Sequence, residues 1–157
     1  MKNYNKIIFI LTLSLLITSC GFKKINQKSN NIIYIKKINT IGEPRIAYAI
    51  KNDIYLISNI DSKNKYEAEI TLQKNKTNKI KDKTGKITRY NLSVQVSLKL
   101  TNIDNKKIIQ KTFEKNNDYE VASIHSDTIK NENTAIKNTT QMLSNDMINF
   151  ITLSMRQ

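Results

Sequence analysis

His125 lies close in the chain to Asp118, Glu120 and Asp127, and Glu67 and Glu69 stand two residues apart. The first group could serve as an acid–base or metal cluster, because imidazole titrates near neutral pH and ligates metals alongside carboxylates. The second is a carboxylate pair of the kind that glycoside hydrolysis needs. The context argues against both. His125 is the sole histidine and sits in a loop before a helical pattern, and the two glutamates fall on the polar side of an alternating segment. Within its 157 residues the chain has no phosphate-cradling glycine loop, no G-x-S-x-G elbow and no H-E-x-x-H pair. One Cys, three Gly and one Pro exclude a disulfide framework, a Cys-rich zinc module and fibrous scaffolds. The expectation is a non-enzymatic protein that binds or assembles, with no catalytic residue, metal or cofactor.

The remaining chemistry belongs to Cys20. Met1 to Lys6 is short and basic, Ile7 to Ile17 is almost wholly apolar, and Thr18-Ser19 precede the cysteine. This is the layout of a secretory signal, and the apolar run is too short to span a bilayer comfortably. A cysteine at this point resembles the lipobox of bacterial lipoproteins, in which the cysteine is acylated and becomes the first mature residue. Acyl chains anchor at about 0.8 kcal/mol per buried methylene. Gly21 follows Cys20, which by the resemblance implies retention in the outer membrane, on its periplasmic side. Residues 1–19 are thus expected to be a signal peptide, 20–30 a lipidated polar tether and 31–157 a single domain.

Charge is the other unusual signal. The chain carries a formal +13. Residues 20–103 hold 17 basic and 6 acidic side chains, whereas residues 104–157 hold seven of each. Lys74, Lys76, Lys79, Lys81, Lys83, Lys86 and Arg89 face only Asp82 within residues 74–89. Clustered cations concentrate polyanions. Outside the cytoplasm these are phosphorylated lipids and lipopolysaccharide, not nucleic acid. Lysine abundance also follows from A/T-rich codons, which would load any surface; the unevenness is harder to explain that way.

The elements that must position these groups follow from periodicity. Asn31 to Asn39 is β-branched and reads as a strand. Gly42-Glu43-Pro44 opens a helix to Ile57, with Ile46, Ile50, Ile54 and Ile57 at helical spacing. Two clean alternations follow: Tyr66, Ala68, Ile70 and Leu72, then Tyr90, Leu92, Val94, Val96, Leu98 and Leu100. Each has one polar face, as in antiparallel strands covering a core on one side. The basic run Lys74 to Lys86 lies between them, with a turn at Thr84-Gly85. Ile109, Lys111 and Phe113 begin a weaker fourth strand reaching to Tyr119. A long amphipathic helix, capped by Ser126 or Asp127, ends the chain. The expected fold is α+β: a two-layer sandwich in the order β-α-β-β-β-α, a four-stranded mostly antiparallel sheet with two helices on one face.

In this order of elements the mature chain resembles the LPS-assembly lipoprotein LptE family. The features that carry the resemblance are Cys20-Gly21-Phe22, then Gly85-Lys86-Ile87-Thr88-Arg89-Tyr90 leading into the strand Asn91 to Leu100, and the closing helix Asn133 to Met155. The resemblance implies a plug and assembly partner of the LptD β-barrel that binds lipopolysaccharide on its way to the outer leaflet. Alignment on Gly85 places a ligand-binding cation at Lys83; Lys81, Lys86 and Arg89 join it on charge alone. The chain departs from the family pattern in ending soon after the last helix and in using Lys where others use Arg, a point charge instead of a bidentate fork. Two other classes stay open at this point: an auxiliary lipoprotein of a periplasmic ABC-type lipid-transport system, and a small hydrolase using Glu67, Glu69 or His125.

Overall fold

The computed structural model describes residues 33–155. The signal segment, Cys20 and the tether lie outside the described residues. The elements run β1 (Tyr34–Ile41), α1 (Pro44–Leu56), β2 (Lys65–Lys81), β3 (Ile87–Asn102), β4 (Ile108–Glu120) and α2 (His125–Ser154). The β-α-β-β-β-α order and the two-layer α+β architecture are those expected from the sequence. The four strands form one sheet in the order β1-β2-β3-β4. β1 and β2 are parallel, and the other two pairs are antiparallel.

Period two decides which face is covered. Leu92, Val94, Val96, Leu98 and Leu100 have no solvent exposure, and Ala68, Ile70 and Leu72 beside them on β2 are buried. Their partners one residue away point to the open face. The covering layer is supplied by Ile46, Ile50 and Ile54 of α1 and by Leu143, Met147 and Ile151 of α2, all fully buried. α1 packs over β1 and β2, whereas α2 lies against β3 and β4. Burial of this kind contributes about 25 cal/mol per Å² of apolar surface.

Three local features differ from the sequence pattern, each for a physical reason. β1 spans Tyr34 to Ile41, later than the pattern placed it, and its register slips between Ile35 and Lys37. The bulge lets Lys36 and Lys37 both stay exposed while Ile35 and Ile38 both point inward. α2 begins at His125 without a side-chain cap at Ile124; Asp127 instead places a carboxylate in the first turn, and the Thr128 hydroxyl accepts the Ala122 amide at 2.9 Å. Third, the basic run is strand, not loop: β2 continues to Lys81 and β3 starts at Ile87, so that only 82–86 turn. Lys alternating with Asn and Thr shows no apolar period, yet the ladder continues, with Thr77 opposite Asn91 and Asn75 opposite Ser93, broken only where the register shifts around Lys79 and Ile80.

Gly42 joins β1 to α1 at φ 112°, and a Cβ there would lie 2.1 Å from the Leu72 carbonyl oxygen. Gly42→Ala is therefore expected to lower stability by about 2 kcal/mol or more, read as a fall in the urea midpoint. Gly85 also has positive φ, but a Cβ there meets nothing within 4 Å; Gly85→Ala is expected to cost only about 1 kcal/mol of left-handed strain. Equal costs at the two glycines would contradict the close approach at Leu72.

Candidate anion-binding hairpin

The β2–β3 tip is a built turn. Asp82 N donates to the Lys86 carbonyl at 2.8 Å, and Gly85 N donates to the Asp82 carbonyl at 3.0 Å. The Asp82 carboxylate accepts from the Thr84 hydroxyl at 2.6 Å, the Thr84 amide at 2.8 Å and the Lys86 amide at 3.0 Å. These donors, the Thr84 hydroxyl foremost, hold the Asp82 carboxyl below the usual carboxylate range. The tip's single acidic group is thus occupied within the turn.

The structure divides the basic run in two. Lys74 pairs with Glu43 at 3.3 Å, Lys76 with Glu132 at 3.1 Å, Lys79 with Asp118, and Arg89 with Glu120 across β3 and β4. Asp118 also accepts from Asn91 Nδ2 at 2.8 Å, and that bond, with Lys79, holds its carboxyl low. Lys81, Lys83 and Lys86 are exposed and, among the described residues, take part in no ion pair. Of the four cations proposed from sequence, the tip therefore brings together Lys81, Lys83 and Lys86. Arg89 stands apart, turned to Glu120 and lining a polar groove of about 480 Å³ with Asn117, Tyr119, Lys130 and Asn131. Three unpaired ammonium groups on a projecting turn can meet phosphate oxygens through charge-assisted hydrogen bonds.

The other sequence candidates are dispersed. Glu69 pairs with Lys99 at 2.9 Å on the open sheet face, and Glu67 is exposed on that side. His125 is exposed at the first residue of α2. Among the described residues no three His, Cys, Asp or Glu side chains converge as a metal site.

Sequence reasoning missed Lys76. Its ammonium lies 4.2 Å from the Tyr90 ring centroid and 5.2 Å from that of Tyr119, and the two rings stack at 5.5 Å. Glu132 of α2 accepts from both Lys76 Nζ at 3.1 Å and Tyr119 Oη at 2.9 Å. Desolvation would raise the Glu132 carboxyl, but the bonds from Lys76 and Tyr119 outweigh it and hold it low. Desolvation likewise opposes the Lys76 charge, and hydrogen bonds to Tyr119 and Glu132 overcome it, raising its value above 10.5. Lys76 stands opposite Leu92, diagonal to Tyr90, so only the folded register brings it over the rings. The Glu132 contribution is complete above the ordinary carboxylate range and fades as pH falls through its lowered folded-state value; that of Lys76 persists until pH rises past 10.5. Glu132→Gln is expected to destabilise by about 1–2 kcal/mol at pH 7. The gap to the parent protein should narrow below about pH 4 in urea titrations; a gap independent of pH would remove the carboxylate from the account.

No family model matches the chain, and no curated protein does. Solved structures do, among them two bacterial lipoproteins. Rare lipoprotein B from Shewanella oneidensis superimposes with a TM-score of 0.58 at 10% identity, over 75% of this chain and 95% of that one. A designated lipoprotein from Caulobacter crescentus gives 0.59 at 11% identity, over 83% and 94%. The chain has the fold of these bacterial lipoproteins. At such identity the shared property is the architecture alone. Function must come from this chain's own surface.

Proposed function

We propose that this chain is an outer-membrane lipoprotein of LptE type, acylated at Cys20 and held on the periplasmic side. In this reading it is no enzyme. It plugs and helps assemble an LptD-like β-barrel and binds lipopolysaccharide during transport to the outer leaflet, using Lys81, Lys83 and Lys86, with Arg89 at the margin.

The observation that carries the reading is the unpaired cationic tip at the far end of the sheet from the chain's entry at Ile33. The 17 residues of β2 rise about 55 Å at about 3.3 Å each, so an anchor near one end leaves the tip deep in whatever the domain enters. A second support is the open sheet face. Gln73 and Asn75 on β2, Ser93, Gln95 and Ser97 on β3, and Thr112 and Asn116 on β4 give it a polar and mostly uncharged centre. Such a face suits the water-filled interior of a barrel. No helix among the described residues is long and apolar enough to cross a membrane itself.

The test is co-purification of the lipidated full chain from mild-detergent membranes, with partners identified by mass spectrometry. A stoichiometric large β-barrel is the expected result. An ABC-transporter component instead would establish the auxiliary lipid-transport role, and a clean monomer would remove the plug role.

A further inference from the structure

The end of the domain opposite the basic tip has a surface of its own. Leu56 at the last turn of α1, Ile60 in the following loop, Ile108 at the start of β4 and Leu153 in the last turn of α2 are 78%, 74%, 56% and 61% exposed. Backbone pairing gathers their elements. Ile33 bridges Ser58, Tyr34 N donates to the Asn64 carbonyl at 2.8 Å, and Ile103 N donates to the Lys65 carbonyl at 2.9 Å. Thr101 pairs with Ile108. Lys115 pairs with Asp146 at 2.8 Å and Phe113 meets Phe150 edge-on at 5.7 Å, so α2 descends along β4 toward the same end, with Leu153 about one turn beyond the second contact. Large aliphatic side chains exposed together at one pole are unusual for a surface facing only water.

Charge surrounds them. Lys63 and Lys65 on one side and Lys106 and Lys107 on the other are all exposed, against Asp61 and Asp104. The chain also enters here. Ile33, the first described residue, lies at this pole, and thirteen steps separate it from Cys20. Thirteen steps of chain reach at most about 45 Å. An acyl anchor on Cys20 therefore holds this pole, and not the tip, at the bilayer.

We infer that this pole is a membrane-resting foot: Leu56, Ile60, Ile108 and Leu153 enter the headgroup region of an anionic leaflet while the four lysines contact lipid phosphates. This is the arrangement of an interfacial anchor, with apolar groups in the acyl boundary and Lys at headgroup level. The inference rests on the acyl anchor proposed above, and it adds a fixed orientation that a tether alone does not impose.

The chain contains no Trp, so a single introduced Trp is a unique reporter. Full chains carrying L56W, or I80W near the tip, are reconstituted into phosphatidylethanolamine–phosphatidylglycerol vesicles with brominated acyl chains. Flotation reports the anchor, and quenching reports the foot. Expected are flotation of both variants, at least threefold stronger quenching of L56W than of I80W, and loss of that difference when Lys63, Lys65, Lys106 and Lys107 are changed to Glu. Flotation with equal, weak quenching overturns the foot and leaves the anchor standing. Quenching of L56W without flotation keeps the foot and removes the anchor. Neither signal overturns both. Circular dichroism of each variant shows that the reporter sits in a folded chain, and L153W replaces L56W if that variant does not fold.

Discussion

Val94→Glu combined with Val96→Glu leaves no folded protein. Both side chains are fully buried on the central strand β3, among Ile70 and Leu72 of β2 and the residues of α2. Val96 lies between Leu72 and Phe113 with no cation beside it, and the lysines that flank Val94, Lys74 and Lys115, are already paired with Glu43 and Asp146, so each carboxylate is either desolvated or protonated, at a cost of several kcal/mol. Two such costs equal or exceed the whole stability of a domain this size, about 5–15 kcal/mol. The expected readout is loss of the cooperative thermal transition and of near-UV dichroism. Gln95→Lys is the control that isolates facing from charge. Gln95 lies between the two valines but is exposed on the open face, opposite Glu114, and this variant is expected to fold like the parent. A folded double mutant would mean that β3 faces the other way.

Reversing Lys81, Lys83 and Lys86 to Glu together is expected to weaken lipopolysaccharide binding by about two orders of magnitude at low salt, roughly fivefold per charge. The fold should be unaffected, because the turn is held by Asp82, Thr84 and backbone groups and not by these side chains. The difference between parent and variant should shrink as salt rises, since contacts at an exposed tip are screened. Calorimetric titration at two ionic strengths measures both. Unchanged affinity would make the lysines a consequence of composition. Reversing Arg89 alone is expected to do less to binding, because its guanidinium already faces Glu120.

The parts of the fold legible in the sequence were those where periodicity and burial coincide. Tyr66 to Leu72 and Tyr90 to Leu100 alternate because one face meets helices, and that face is the buried one. Pro44 and the Ile46, Ile50, Ile54 spacing located α1 to within a residue. The extension of β2 through Asn75, Lys76 and Thr77 was not legible, since its side chains are polar on both faces and show no apolar period, and the ladder with β3 is visible only in the fold. The pairing state of each cation was equally hidden. Lys79 and Asp118 are separated by 39 positions, and Lys76 and Glu132 by 56; only the folded register shows that Asp118, Glu120 and Glu132, with Glu43, neutralise the flanks of the basic run and leave its tip bare.

The parallel register of β1 has a mechanical meaning. Tyr34 to Ile41 lies beside Lys65 to Thr71, with its N-terminal end at the pole where the chain enters. If the tip at 82–86 is gripped and the chain is drawn from Ile33, the pull on β1 and the hold on β2 run in opposite directions along adjacent strands. The rungs between them are then sheared together and not opened one after another, so the first strand behaves as a clamp. Loaded in this way, the shortest strand pair of the sheet would resist in shear, with all its rungs sharing the tension.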